Sequence, residues 1–488
     1  MSDNLKNSIV RGLKWSSVSQ ISRQILQYIS TIILVGILSP DDFGLIAMAL
    51  LVINFLDIFK DLGTSSALIQ NQNLSDYLKS SVFWINFTFG AIFTLVIYFL
   101  SPLIAQLFNS DKITPVLQVL SLIFIISGLS LTQKALLERS LSFKTLANIE
   151  LVSSALGFFA ALYLAFNGFG VWSLVAQVLT FTIFNSTLLW IFSSWKPKFY
   201  FRLHDIKSIA SYSLNLVGFN LINYIARNSD YFLIAKFLDE RSLGHYYLAY
   251  RIMLYPLQNI STVVSRVIFP SFSILQNDNI RLSQSYLKLT NLIALLTFPM
   301  MAGMAIVSYD FTNVFFGSEW NVGLVALLIV ILAPVGALQS IVSTVGIIYQ
   351  VKGKTDWMFR WSIFATSVMV IGFLIGLKWG VVGISVSYLV TNIVLLYPAF
   401  LIPFKLIGLR VYSYFKSFGS TLLSVIVMIS LMFIPSLLLD ISISPLMKLI
   451  TMIPFGIIVY GFITYFVNKD KLSEISLFLP FLFKSRNV

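Results

Sequence analysis

Four polar residues, Gln20, Arg23, Gln27 and Ser30, interrupt an apolar stretch at spacings of 3, 4 and 3. Two hundred residues further on, Asn220, Asn223, Arg227 and Asp230 repeat that spacing. Residues three and four apart share one face of a helix, so each set forms a polar stripe. A guanidinium offers a planar fork of donors that matches phosphate or carboxylate oxygens, and side-chain amides suit hydroxyl groups. Tyr247, Arg251, Gln258 and Thr262 fall on one face of the next apolar stretch. Asn54 and Asp57 stand in an earlier one, a turn before Lys60 and Asp61. The candidate substrate-binding set is Arg23, Gln27, Asn220, Asn223, Arg227, Tyr247 and Arg251, around a central cavity. Asp57 and Asp230 are the candidates for ion coupling. Low dielectric disfavours a charged carboxylate, so a buried one exchanges a proton near working pH unless a cation holds it ionised. Arg227 lies one turn from Asp230 and is placed to hold it, which favours Asp57. The Arg227–Asp230 pair also reads as structural glue between helices.

Other constellations that would carry chemistry are missing. There is no cysteine, hence no disulfide and no thiolate metal site. The two histidines, His204 and His245, stand alone without ligand spacing and read as solvated, so no metal and no cofactor is expected. Gly353-Lys354-Thr355 resembles the end of a phosphate loop but lacks the leading glycine. No HExxH or nucleophile elbow occurs, so the chain is not expected to be an enzyme. Glu150 lies within a turn of a span's end and reads as interfacial.

The elements that hold these residues are set by composition. Of 488 residues, 57% are hydrophobic and 11% charged, against about a quarter charged in soluble domains. The solvent of the outer surface must be lipid. The +13 charge is scattered singly between apolar runs, which excludes a nucleic-acid patch. About 20 apolar residues span the hydrocarbon core as a helix. Fourteen stretches qualify: 15–38, 43–60, 80–106, 115–137, 146–166, 170–192, 208–238, 243–268, 286–308, 322–348, 357–377, 381–404, 414–438 and 446–467. Both termini and the even-numbered loops, with the span ends beside them, hold 25 of the 33 basic residues, and the odd loops hold four. Basic residues stay on the cytoplasmic side, so both termini are expected there. The polar start, Met1 to Lys14, carries no small-residue cleavage site and is not expected to be a removable signal.

The fold class expected is an all-α integral membrane protein of about fourteen transmembrane helices, containing an internal repeat. Leu38 to Leu45 (LSPDDFGL) matches Leu238 to His245 (LDERSLGH), pairing Gly44 with Gly244. A weaker match joins Gly168–Val175 to Gly380–Ser387. Six helices separate the repeat starts, so two parallel six-helix lobes are expected, residues 1–200 and 201–405. Residues 406–488 supply two further helices and a cytoplasmic tail. Pro256, Pro299, Pro334 and Pro454 lie within spans and are candidates for kinks.

Several motifs resemble one family. They are Gly12-Leu13-Lys14-Trp15, Ser39-Pro40-Asp41-Asp42-Phe43-Gly44, Asp61-Leu62-Gly63 with Ala67-Leu68-Ile69-Gln70, and Leu137 to Lys144 (LERSLSFK). Tyr246-Tyr247, Tyr255 to Ile260 (YPLQNI) and Phe269-Pro270 continue the pattern. The chain resembles, over most of residues 1–400, the Wzx-type polysaccharide flippases of the multidrug/oligosaccharidyl-lipid/polysaccharide exporter superfamily, in the colanic and teichuronic acid exporter subgroup. The resemblance implies a secondary transporter in the bacterial cytoplasmic (inner) membrane. It would turn undecaprenyl-pyrophosphate-linked oligosaccharide from the cytoplasmic to the outer leaflet by alternating access, for O-antigen, exopolysaccharide or capsule synthesis. Membrane lipids and a polysaccharide polymerase with its export machinery are the implied partners. Arg23, Arg227 and Arg251 would meet the pyrophosphate, and Tyr247 and Tyr250 the sugars. Two relatives of that reading stay open, a peptidoglycan precursor flippase and a drug/cation antiporter. Three arginines in the cavity disfavour the second. A membrane-bound glycan polymerase or ligase is disfavoured by the short outer loops.

Overall fold

The computed structural model describes residues 20, 22–60, 65, 68–69, 74–438 and 443–468, without the side chains of 203–219, 255–271 and 435–438. Met1 to Lys14, Asp61, His204, Pro256, Gln258 and Thr262, together with the motifs around them, fall outside the described residues or side chains. Among the described residues every long element is a helix and no strand occurs. The chain is a multi-pass membrane protein. By length and apolarity, eight helical segments can cross a membrane, or up to ten if each of two bent pairs is one span. The count of fourteen stays an expectation of the sequence.

Packing divides the chain into two compact units. One is Met1–Gly244 with Gly317–Glu319, the other His245–Phe316 with Trp320–Val488. The first contains α1 (22–37), α2 (Pro40–Lys60), α3 (Asp76–Phe108), α4 (Ile113–Gly128) and α5 (Leu131–Arg139). It continues through α6 (Phe143–Phe166), α7 (Val171–Phe192) and α8 (Leu203–Phe237). The sequence-based boundary at 200 follows the repeat; the packing boundary lies one helix later.

The matched turns at 38–45 and 238–245 have a physical cause. Ser39 and Asp42 form a reciprocal cap at the start of α2: Asp42 Oδ2 accepts from the Ser39 amide (3.0 Å) and hydroxyl (2.7 Å), and Ser39 Oγ accepts from the Asp42 amide (3.2 Å). In the second turn the acid comes first, and Asp239 Oδ1 accepts from the Ser242 amide at 2.6 Å. Satisfying these orphan donors is worth about 1 kcal/mol per cap. The paired glycines touch the opposite turn. A Cβ on Gly44 would lie 1.7 Å from the Glu240 carbonyl oxygen, and one on Gly244 would lie 1.9 Å from that of Pro40. Residues 40 and 240, 44 and 244 thus exchange places across the contact.

At Leu129–Ser130 the helix breaks and turns by 43° between α4 and α5. The break frees backbone carbonyls, which must find donors where water is scarce. Two donors come from α7: Trp190 Nε1 reaches the Leu129 oxygen (2.8 Å), and Ser186 Oγ reaches that of Ile126 (3.1 Å). The other sharp break, 40°, lies at Phe418. Neither break holds a proline, whereas Pro299, Pro334 and Pro454 sit inside continuous helices. Gly170 (φ 53°, ψ −130°) and Gly380 (φ 64°, ψ −152°) share a backbone conformation open essentially to glycine alone. This pairs 170 with 380, two residues away from the register read in the sequence.

The second unit contains α9 (Glu240–Ile274) from His245 onward, α10 (Asn279–Phe315), α11 (Val322–Val342), α12 (Val345–Val351) and α13 (Thr355–Gly376). After these come α14 (Gly380–Ile407), α15 (Val411–Ser417), α16 (Gly419–Leu438) and α17 (Pro445–Val467). Several large aromatic residues of this unit lie in its core. Tyr286, Tyr349 and Tyr414 are buried, and Tyr414 packs among Phe400, Phe404 and Phe418. Helices α15 and α17 are tied to α10 by Asn291 Nδ2 donating to Ser417 Oγ (2.9 Å) and Tyr460 Oη to the Leu295 oxygen (2.7 Å).

Candidate substrate-binding site

Seven of the nine candidate residues lie in the first unit: Arg23, Gln27, Asp57, Asn220, Asn223, Arg227 and Asp230. Arg23 on α1 is half-buried, and its Nη1 lies 3.3 Å from Glu150 Oε2 on α6. The other oxygen of Glu150 lies 4.0 Å from Lys134 Nζ on α5. Glu150, read as interfacial, is therefore the counter-ion of two cations. A stripe turn further, Ser30 is buried and accepts from Gln177 Nε2 at 2.8 Å, while Gln27 between them is exposed. The stripe of α1 thus runs from an ion cluster, through an open amide, to a sealed hydrogen bond.

The α8 stripe is arranged differently. Asn220 and Arg227 are exposed, Asn223 is half-buried, and Asp230 is 2% exposed with Oδ1 accepting from the Tyr231 amide at 2.9 Å. No ion pair joins Arg227 to Asp230 among the described residues, because the carboxylate turns inward and the guanidinium outward. Asp57 is exposed and forms an ion pair with Lys60 one turn on. Tyr224, absent from the sequence-based set, hydrogen-bonds through its hydroxyl to the Leu51 carbonyl and so ties α8 to α2.

Tyr247 and Arg251 belong to the second unit. Both are half-buried; Arg251 Nη1 donates to Tyr247 Oη at 3.1 Å, and the guanidinium lies 5.7 Å from the tyrosine ring centroid. Tyr250, which the resemblance assigned to sugars, is buried instead. It stacks between Tyr246 (5.9 Å) and Tyr388 (6.0 Å), and Gln339 Nε2 donates to the Tyr388 oxygen. His245 is likewise buried, not solvated. Its Nε2 accepts from the Asn321 amide at 3.3 Å, and Trp320 covers the ring edge-on at 5.4 Å. Among the described residues no group of three or more His, Cys, Asp or Glu could hold a metal.

The fold is that of a membrane transporter. A solved structure of the lipid II flippase MurJ in its inward closed conformation matches with a TM-score of 0.75, at 18% identity, covering 94% of this chain and 99% of that one. The family described as "Polysaccharide biosynthesis protein" matches residues 33–325, and the chain belongs to it. The lipopolysaccharide biosynthesis protein WzxC of Escherichia coli is 25% identical over 398 residues, 80% of each chain. The teichuronic acid biosynthesis protein TuaB of Bacillus subtilis is 29% identical over 363 residues, 73% of this chain and 74% of its own.

Proposed function

We propose that the protein is a secondary transporter that turns an undecaprenyl-pyrophosphate-linked oligosaccharide from the cytoplasmic to the outer leaflet. It works in the bacterial cytoplasmic membrane, with both termini cytoplasmic, fourteen spans and two six-helix lobes, and it feeds a polysaccharide polymerase and export machinery. The observation that carries this reading is that Arg23 and Arg227 stand on apolar helices of a polysaccharide-biosynthesis family member yet keep their guanidinium groups open to the surface. A charge in such helices is costly in lipid, by about 2.5–3.5 kcal/mol, and persists where it meets an anion or water. Gln27, Asn220 and Asn223 would bind the sugars, and Tyr247 and Arg251 stand as further substrate-binding candidates. Asp57 and Asp230 stand as the coupling carboxylates.

Reconstituted flipping of defined lipid-linked sugars tests the reading, with lipid II as the second substrate to separate glycan export from peptidoglycan precursor flipping. The Arg23→Gln, Arg227→Gln double variant should reach the membrane at normal abundance and flip at a few per cent of the wild-type rate. Wild-type flipping by that variant would rule out a cationic seat for the pyrophosphate.

A further inference from the structure

We infer that Glu150 is a built-in stand-in for the substrate's diphosphate: it neutralises Arg23 and Lys134 while the site is empty and is displaced when the substrate loads. The inference rests on the reading that Arg23 receives the anionic headgroup. Three helices, α1, α5 and α6, each contribute one charge to the cluster. Each carboxylate oxygen is committed to one cation, Oε2 to Arg23 at 3.3 Å and Oε1 to Lys134 at 4.0 Å. One carboxylate against two cations leaves a surplus of one positive charge. Two cations gathered around one point repel each other, so an empty site is eased by an internal counter-ion. That counter-ion must also yield. All three side chains are between 30% and 44% exposed, and ion pairs open to this degree contribute little net stability. A diphosphate brings more negative charge and more acceptor oxygens than a carboxylate, and the arginine fork matches either.

A purely structural Glu150 would behave differently from a displaceable one. The probe is inorganic pyrophosphate, titrated into the purified full chain in lipid nanodiscs at low salt. Glu150→Gln keeps the size and removes the charge, and it should bind pyrophosphate about tenfold more tightly, the scale of one neighbouring charge. In the flipping assay it should lower KM and kcat together, because release becomes slower. Lys134→Gln, with Glu150 intact, cancels the surplus charge and should bind at least about tenfold more weakly. The Lys134→Gln, Glu150→Gln double variant restores the surplus through Arg23 alone and should recover binding. This last comparison serves even where Glu150→Gln by itself folds poorly. Unchanged affinity in both Glu150→Gln and the double variant, relative to their parents, overturns the inference. Undiminished pyrophosphate binding by Arg23→Gln overturns instead the underlying reading of the cationic seat, so the two failures are distinguishable.

Discussion

Asp57 and Asp230 illustrate what spacing along a chain does and does not reveal about single residues. Three residues on a helix separate Arg227 from Asp230 and also Asp57 from Lys60, yet only the second couple forms an ion pair. Which of two neighbours turns inward is decided by the surrounding helices, and those contacts lie far away in sequence. The Arg23–Glu150 pair, 127 residues apart, was illegible for the same reason. His245 was misread because Trp320, which covers it, is 75 positions distant. The polar stripes themselves were legible, since residue type and a period near 3.6 suffice to mark a helix face. At this scale the prediction concerns coupling. Of the two carboxylates Asp230 is the buried one, so Asp230→Asn should abolish any dependence of flipping on an imposed proton gradient while leaving gradient-free exchange intact. Undiminished gradient dependence in reconstituted Asp230→Asn would remove that carboxylate from the mechanism.

Helices were legible as apolar stretches, but the sequence placed bends at prolines, whereas among the described residues the structure has breaks of 43° at Leu129–Ser130 and 40° at Phe418, neither at a proline. A proline can be absorbed into a continuous helix when neighbouring groups take over the lost hydrogen bond. A break without proline survives because another helix supplies donors to its free carbonyls. Trp190 is one of those donors, so Trp190→Phe should leave the Leu129 carbonyl without its 2.8 Å partner. The expected loss is roughly 1 kcal/mol, seen as a lower midpoint in thermal unfolding of the purified protein. An unchanged midpoint would mean that the break does not need this bond. The segment 193–202 shows the same economy. Ser80 and Ser81 accept from the Lys198 and Arg202 amides at 3.1 and 3.2 Å, Trp84 Nε1 donates to the Lys198 oxygen at 2.9 Å, and an extended connector is thereby pinned to α3.

For the molecule as a whole, the likeness of the two turns was legible because both need a side-chain cap and a glycine without a Cβ. The packing units were not legible, because a repeat records where the chain resembles itself and a packing boundary records where it touches itself. The topology proposed here is tested directly, since the chain contains no cysteine. A single cysteine at the exposed Lys144 should resist a membrane-impermeant maleimide in intact cells and react after the cytoplasmic membrane is opened. Labelling in intact cells would invert the proposed orientation.

The reciprocal contact of Gly44 with the turn at Glu240, and of Gly244 with Pro40, also sets a timetable for synthesis. A ribosome adds about 5–20 residues per second, so the second glycine emerges roughly 10–40 s after the first. Throughout that interval the face of α2 around Gly44 is already in the bilayer without its partner. The amide of Gly317, which donates to the Val35 oxygen at 3.2 Å, arrives later still. The first unit therefore completes itself only after a large part of the second has been translated, and until then lipid or the insertion machinery must shield its open seam. A nascent chain stalled before residue 240 exposes that seam permanently, which marks it for membrane-protein quality control even though eight of its helices are already made.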